Sequence, residues 1–311
     1  MELRVTMKQL LLLSITLFLS TIDASQEDFA LIAQINELAR DDAIDLWNKG
    51  LLPYNLSVRN YCKIQADQLI EEGNNAFEQG MLETPSYRYL GKTGMPYIKP
   101  HTQNSVQPDV EQPLSPISDY TQKYLLPNFD IYEGIVTLKA YSSSNPCAIR
   151  INQDLAVTPR EATIFCPSAF LLLFPAEQIA GVSHELGHFT QSRSILLKKI
   201  LGRKIMKNTK KTSREAAGIK QLSHATEYGA DLLAAGNGGE LVSSALIYFL
   251  YNQSELPLKF SSDTHPSILQ RIRILQTINW LQNFEHQHAA NILLQMPIIH
   301  QQQAIRKQNN S

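Results

Sequence analysis

GVSHELGH, residues 181–188, sets two histidines four positions apart around a glutamate inside an apolar run. On an α-helix that spacing projects His184 and His188 from one face, one turn apart, where two imidazoles converge on a single tetrahedral cation. Glu185 lies beside the first histidine, suited to take a proton from a water on that cation. Pro175 and Ala176 suit a helix start, Val182 and Leu186 would bury the opposite face, and Gly187 allows close approach of another backbone. The same letters also fit a core helix, so a third ligand from elsewhere in the chain has to decide.

The segment ATEYGADLLAAG, residues 225–236, supplies one. Glu227 and Asp231 are again four apart and share one face of a second helix. Ala225, Tyr228, Ala230, Leu232, Leu233, Ala234 and Ala235 surround them with little other polarity, which favours buried, paired carboxylates over a solvated stripe. Glu227 is the expected third ligand, and Asp231 the acceptor that fixes the free ring nitrogen of a ligating histidine. Glu215, His224 and His265 compete for the third position. The residues after His188 (FTQSRS) lack the Gly and His of the longer metzincin pattern, which excludes that class.

At 311 residues the chain is long enough for a sizeable core, and 43% hydrophobic with 18% charged residues is the composition of a globular protein. A net charge of −1 gives no basic field for nucleic acid, so no nucleic-acid partner is expected. Residues 1–24 have the layout of a signal peptide: Arg4 and Lys8, the apolar run Leu10 to Leu19, then Ala24 near a cleavage point. The expectation is an exported chain, periplasmic if bacterial and otherwise secreted. In such a compartment Cys147 and Cys166 are expected to pair, leaving Cys62 free; three free buried thiols are the alternative.

Helical spacing marks an N-terminal region within 25–128, followed from about Thr84 to Asn128 by a long loop rich in Pro, Tyr, Gln and Ser. Short runs at Ile131–Tyr141, Ala148–Leu155 and Ala162–Phe174 read as strands of one small sheet. The chain is helical after Pro175, GNGGE at 236–240 reads as a tight turn between helices, and 296–311 is a polar tail expected to fray. Between the two metal helices, Arg193 to Arg214 holds nine Lys or Arg and no acid. Such a run is either a solvated crossing or an arm for peripheral contact with an anionic membrane.

HELGH at 184–188, E-x-x-A-D at 227–231, and THPS followed by Arg271 together resemble the gluzincin family that includes HtpX and the CAAX prenyl endopeptidases. The resemblance covers about residues 130–285. No long apolar hairpin separates the metal helices, so the layout is most similar to the soluble exported branch typified by the periplasmic protease BepA. It implies an α+β fold: a mainly helical, zincin-like metallopeptidase domain over 129–295, with a small mixed or antiparallel sheet packed on the HExxH helix. It also implies a zinc endopeptidase with one Zn2+ per chain and Glu185 as general base; the expected partner, apart from the resemblance, is a polypeptide such as an unfolded or envelope protein. A substrate strand is expected to add to the sheet edge near 162–172. His265 and Arg271 are the candidate donors to the developing oxyanion, with a helix start and an ion pair as their respective structural readings. A non-catalytic or latent zinc-binding, chaperone-like module that holds unfolded clients is the alternative function.

Overall fold

A computed structural model describes residues 26–51, 56–81, 117–131, 135–141, 148–151, 161–191, 195–196, 198–199, 201–202, 212–252 and 258–309. Five long helices dominate these residues: α1 (Gln26–Leu46), α2 (Val58–Met81), α3 (Pro175–Thr190), α4 (Ser213–Asn252) and α5 (Ile268–Asn309). Three short strands lie between α2 and α3: β1 (Val136–Tyr141), β2 (Ala148–Ile151) and β3 (Ala162–Pro167). The leader-like segment 1–24, most of the Pro-rich stretch and residues 203–211 lie outside the described residues.

The sheet is mixed, with β3 in the centre, parallel to β1 and antiparallel to β2. Along β3, burial alternates with a period of two, and Ala162, Ile164 and Cys166 face the core. Cys166 is a free, buried thiol, so it does not form the expected disulfide; Cys147 lies outside the described residues. β3 is shorter than the expected Ala162–Phe174 strand. Pro167 brings no N–H to continue a ladder, and Ser168–Leu172 coils into a 3-10 turn that buries Phe170 against Gly181 of α3. The end of the expected 84–128 loop is also ordered differently. Ile117–Tyr120, Thr121–Leu125 and Leu126–Asn128 form successive helical turns, because Ile117, Thr121 and Leu125 recur every four residues and bury together.

A single main core runs from Ile35 on α1 to Leu281 on α5 and includes Val182 and Leu186 of α3 and Leu246 of α4. Each fully buried aliphatic side chain in it contributes roughly 1.5–3 kcal/mol relative to exposure. α2 lies antiparallel along the first half of α4, with Gly73 opposite Ala225 and Cys62 opposite Gly236. α4 is broken at Gly239, whose φ of 72° suits a residue without a Cβ, and this break is the turn expected at 236–240. α5 continues as helix to Asn309, through the tail expected to fray. Among the described residues no helix is long and apolar enough to cross a membrane.

Candidate metal centre

α3 begins where the sequence places it. Phe174 is extended, Pro175 opens the first turn, and the buried Glu177 carboxylate accepts the Phe174 N–H at 3.0 Å. From that start the helix buries Val182 and Leu186 and carries His184 and His188 on its other side. α4 crosses at Gly187. A Cβ there would meet the Ala230 carbonyl oxygen at 2.4 Å and the Ala230 Cα at 2.9 Å, so the glycine sets how closely the two helices approach. At the end of α3 the Gln191 amide donates to the Thr226 carbonyl at 2.6 Å and ties the same pair together.

This crossing brings His184, His188 and Glu227 into one group whose donor atoms all lie within 4.8 Å of one another. His184 Nε2 is 3.3 Å from Glu227 Oε2, and His188 Nε2 is 3.6 Å from Glu227 Oε1. Donors around a tetrahedral Zn2+ at about 2.0–2.1 Å sit roughly 3.3–3.4 Å apart, close to these two separations, which run to different oxygens of Glu227. Two imidazoles and a carboxylate are also the donor set that zinc accepts. These three residues could hold a divalent metal ion.

The surroundings prepare the donors. His184 Nδ1 lies 2.9 Å from Asp231 Oδ1, which leaves Nε2 facing Glu227. Asp231 is fully buried and is held in turn by Arg271, whose Nε and Nη2 donate to its two oxygens at 2.6 and 2.8 Å. Burial opposes charge on Asp231, but the Arg271 guanidinium outweighs it and holds the carboxyl below its usual range. Burial likewise opposes charge on His184, yet hydrogen bonds to Asp231 and Glu227 prevail and push its pKa up to about 9. His188 goes the other way: burial and the nearby Lys199 charge lower it to about 4. Its Nδ1 is buried without a hydrogen-bond partner, and its Nε2 faces the Glu227 carboxylate.

Each residue expected at the site can now be placed. Glu185 is buried in the same turn as His184. His265 is half exposed, with Nε2 3.8 Å from Glu227 Oε1 and Nδ1 2.9 Å from Thr264 Oγ1. Arg271 is engaged with Asp231, which realises the ion-pair reading of that residue. The other candidate ligands serve elsewhere. Glu215 accepts the Thr212 N–H at 3.0 Å at the start of α4, and His224 Nε2 lies 2.7 Å from the Ser262 carbonyl oxygen.

One residue of the site has no precedent in the sequence reading. Lys199, from the basic run after α3, is buried and donates from Nζ to Glu227 Oε1 at 2.8 Å. Burial opposes charge on Glu227, but Lys199 and His188 hold its carboxyl well below the ordinary range. Comparison of the chain with protein-family models, curated proteins and solved structures finds no match.

Proposed function

We propose that this protein is a zinc-dependent endopeptidase of the gluzincin type, exported from the cytoplasm and acting on unfolded or envelope polypeptides. The observation that carries the reading is the convergence of His184 and His188 from α3 with Glu227 from α4, backed by Asp231 on the outer nitrogen of His184. A zinc ion held by these three side chains would supply Lewis acidity, polarising a peptide carbonyl and acidifying a water.

The chain's own residues do the rest. Glu185 accepts a proton on its carboxylate and returns it to the departing amine. His265, on the exposed side of the Glu227 carboxylate, is available to donate a hydrogen bond to a negatively charged oxygen as it develops. Arg271 and Asp231 keep the His184 ring in one orientation, so that Nε2 stays aimed at the ligand set. The sheet edge expected near 162–172 is not free for a client strand, because β3 pairs with β1 on one side and β2 on the other and Ser168–Leu172 is a 3-10 turn. The order of the three motifs along the chain, which resembles that of the gluzincin peptidases, supports the same assignment.

The test is casein hydrolysis by purified protein loaded with zinc, with and without a chelator, beside the Glu185→Gln variant. The endopeptidase reading expects hydrolysis that the chelator stops and that Glu185→Gln abolishes while zinc content stays at one per chain. A zinc-loaded, folded wild type that cleaves no unfolded substrate, yet suppresses its aggregation, would establish the non-catalytic client-holding module instead.

A further inference from the structure

Lys199 is an unexpected neighbour for a metal-binding carboxylate. A buried lysine is costly unless paired, and this one, with 8% of its side chain exposed, points its ammonium at Glu227 Oε1 from 2.8 Å. Its place is fixed from the next residue. Lys198 turns the opposite way and donates to Asn74 Oδ1 at 2.7 Å and to Glu78 Oε1, one turn apart on α2. Ile195 and Gly202 anchor the two ends of the segment, packing in the second core around Phe77 and Ile219. Two adjacent lysines thus strap α2 and α4 together, and the strap delivers one ammonium to the ligand set.

The two oxygens of Glu227 are therefore not equivalent. Oε2 faces His184 Nε2 at 3.3 Å, whereas Oε1 lies 3.6 Å from His188 Nε2 and carries the charged hydrogen bond from Lys199. A carboxylate binds a cation through one oxygen or both, and a donor held on one oxygen disfavours the two-oxygen mode. For a three-ligand zinc site this choice matters, since a second Glu227 oxygen would occupy the position a hydrolytic centre keeps open.

We propose that Lys199 is a positioning residue that holds Glu227 as a one-oxygen ligand and so keeps the fourth coordination position free. The inference rests on the metal-binding reading of His184, His188 and Glu227, and deepens it. Lys199 touches neither substrate nor cation in this role; it acts through Glu227.

Cobalt(II) substitution reads the ligand number directly, because four-coordinate cobalt absorbs visible light more strongly than five-coordinate cobalt. Full-length wild type, Lys199→Met and Lys199→Arg are loaded with cobalt, and their spectra are recorded alongside thermal melts. Wild type and Lys199→Arg are expected to share an intense band, and Lys199→Met to lose about half of it as Glu227 takes up a second bond. Identical spectra for wild type and a folded Lys199→Met overturn the proposal and leave the metal site standing. If wild type binds no cobalt, the metal reading itself falls. Should Lys199→Met fail to fold, a zinc-loaded wild-type crystal structure decides. One Glu227 oxygen on the metal with Lys199 on the other supports the role, whereas both oxygens on the metal overturns it.

Discussion

Arg271 grips Asp231 through both ends of its guanidinium fork, Nε to Oδ2 and Nη2 to Oδ1, and both partners are buried. The pair does not face solvent; its outward link is to His184 Nδ1. Breaking a buried pair from one side leaves an uncompensated charge, which costs far more than deleting a surface bridge. Arg271→Met is expected to lower the unfolding free energy by about 3–5 kcal/mol in urea titrations. In the fraction that folds, zinc affinity measured against a chromophoric chelator should drop roughly 10–100-fold, because His184 loses its orienting support. Undiminished affinity would mean that the fork serves stability alone.

Metal removal should be visible in stability. A ligand that binds only the native state adds about 2.7 kcal/mol at a hundredfold excess over its Kd. Chelation is therefore expected to lower the melting temperature of wild type by several degrees, and readdition of zinc to restore it. Glu227→Gln keeps an acceptor for Lys199 but loses the anionic ligand, so its melting temperature should hardly respond to either treatment. Equal responses in the two proteins would place the metal elsewhere.

Gly187→Ala tests the helix crossing. The added methyl would fall 2.4 Å from the Ala230 carbonyl oxygen, and the obstacle is backbone, which cannot swing aside. Overpacking of this kind costs typically about 1–3 kcal/mol. It also pushes the helix bearing both histidines away from the one bearing Glu227, so metal affinity should fall with stability. A variant that melts lower yet binds zinc as tightly as wild type would show that the centre tolerates the shift.

The Cys62 thiol is fully buried, and burial with help from Glu285 pushes its pKa up to about 12. The thiolate is the reactive form, so native protein at pH 8 should leave Cys62 unmodified by iodoacetamide while urea-unfolded protein is labelled at once. Because the folded value is raised, the stability linked to this group is complete below the ordinary thiol pKa of 9.0 and is lost as pH climbs towards about 12. Peptide mass mapping of both samples checks the first point, and urea midpoints across pH 8 to 11 check the second.

The centre was legible where its geometry is local. His184 with His188, and Glu227 with Asp231, each obey a four-residue spacing that the α-helix converts into proximity, and the apolar neighbours of the second pair foretold its burial. Arg271 was visible as a residue of interest, but whether it served an oxyanion or Asp231 depended on where α5 packs, which no spacing records. Lys199 was hidden among nine basic residues that suggested solvent. Its burial follows from Glu227 on α4, while its neighbour Lys198 is held by Glu78 on α2, both acids far away in sequence. The strands were found to within a few residues, except where Pro167 ended β3 early, and the helical turns over 117–128 were masked by a Pro-rich approach.

The union of Ile35, Leu186, Leu246 and Leu281 in one core has a bearing on how such a protein can change. α2 shields the flank of α4 whose other side presents Glu227, so trimming the N-terminal helices would unroof the scaffold beneath the ligand. The histidine-bearing segment is consequently not a cassette that can be excised or transplanted. Duplication or recombination would have to carry α1 through α5 together.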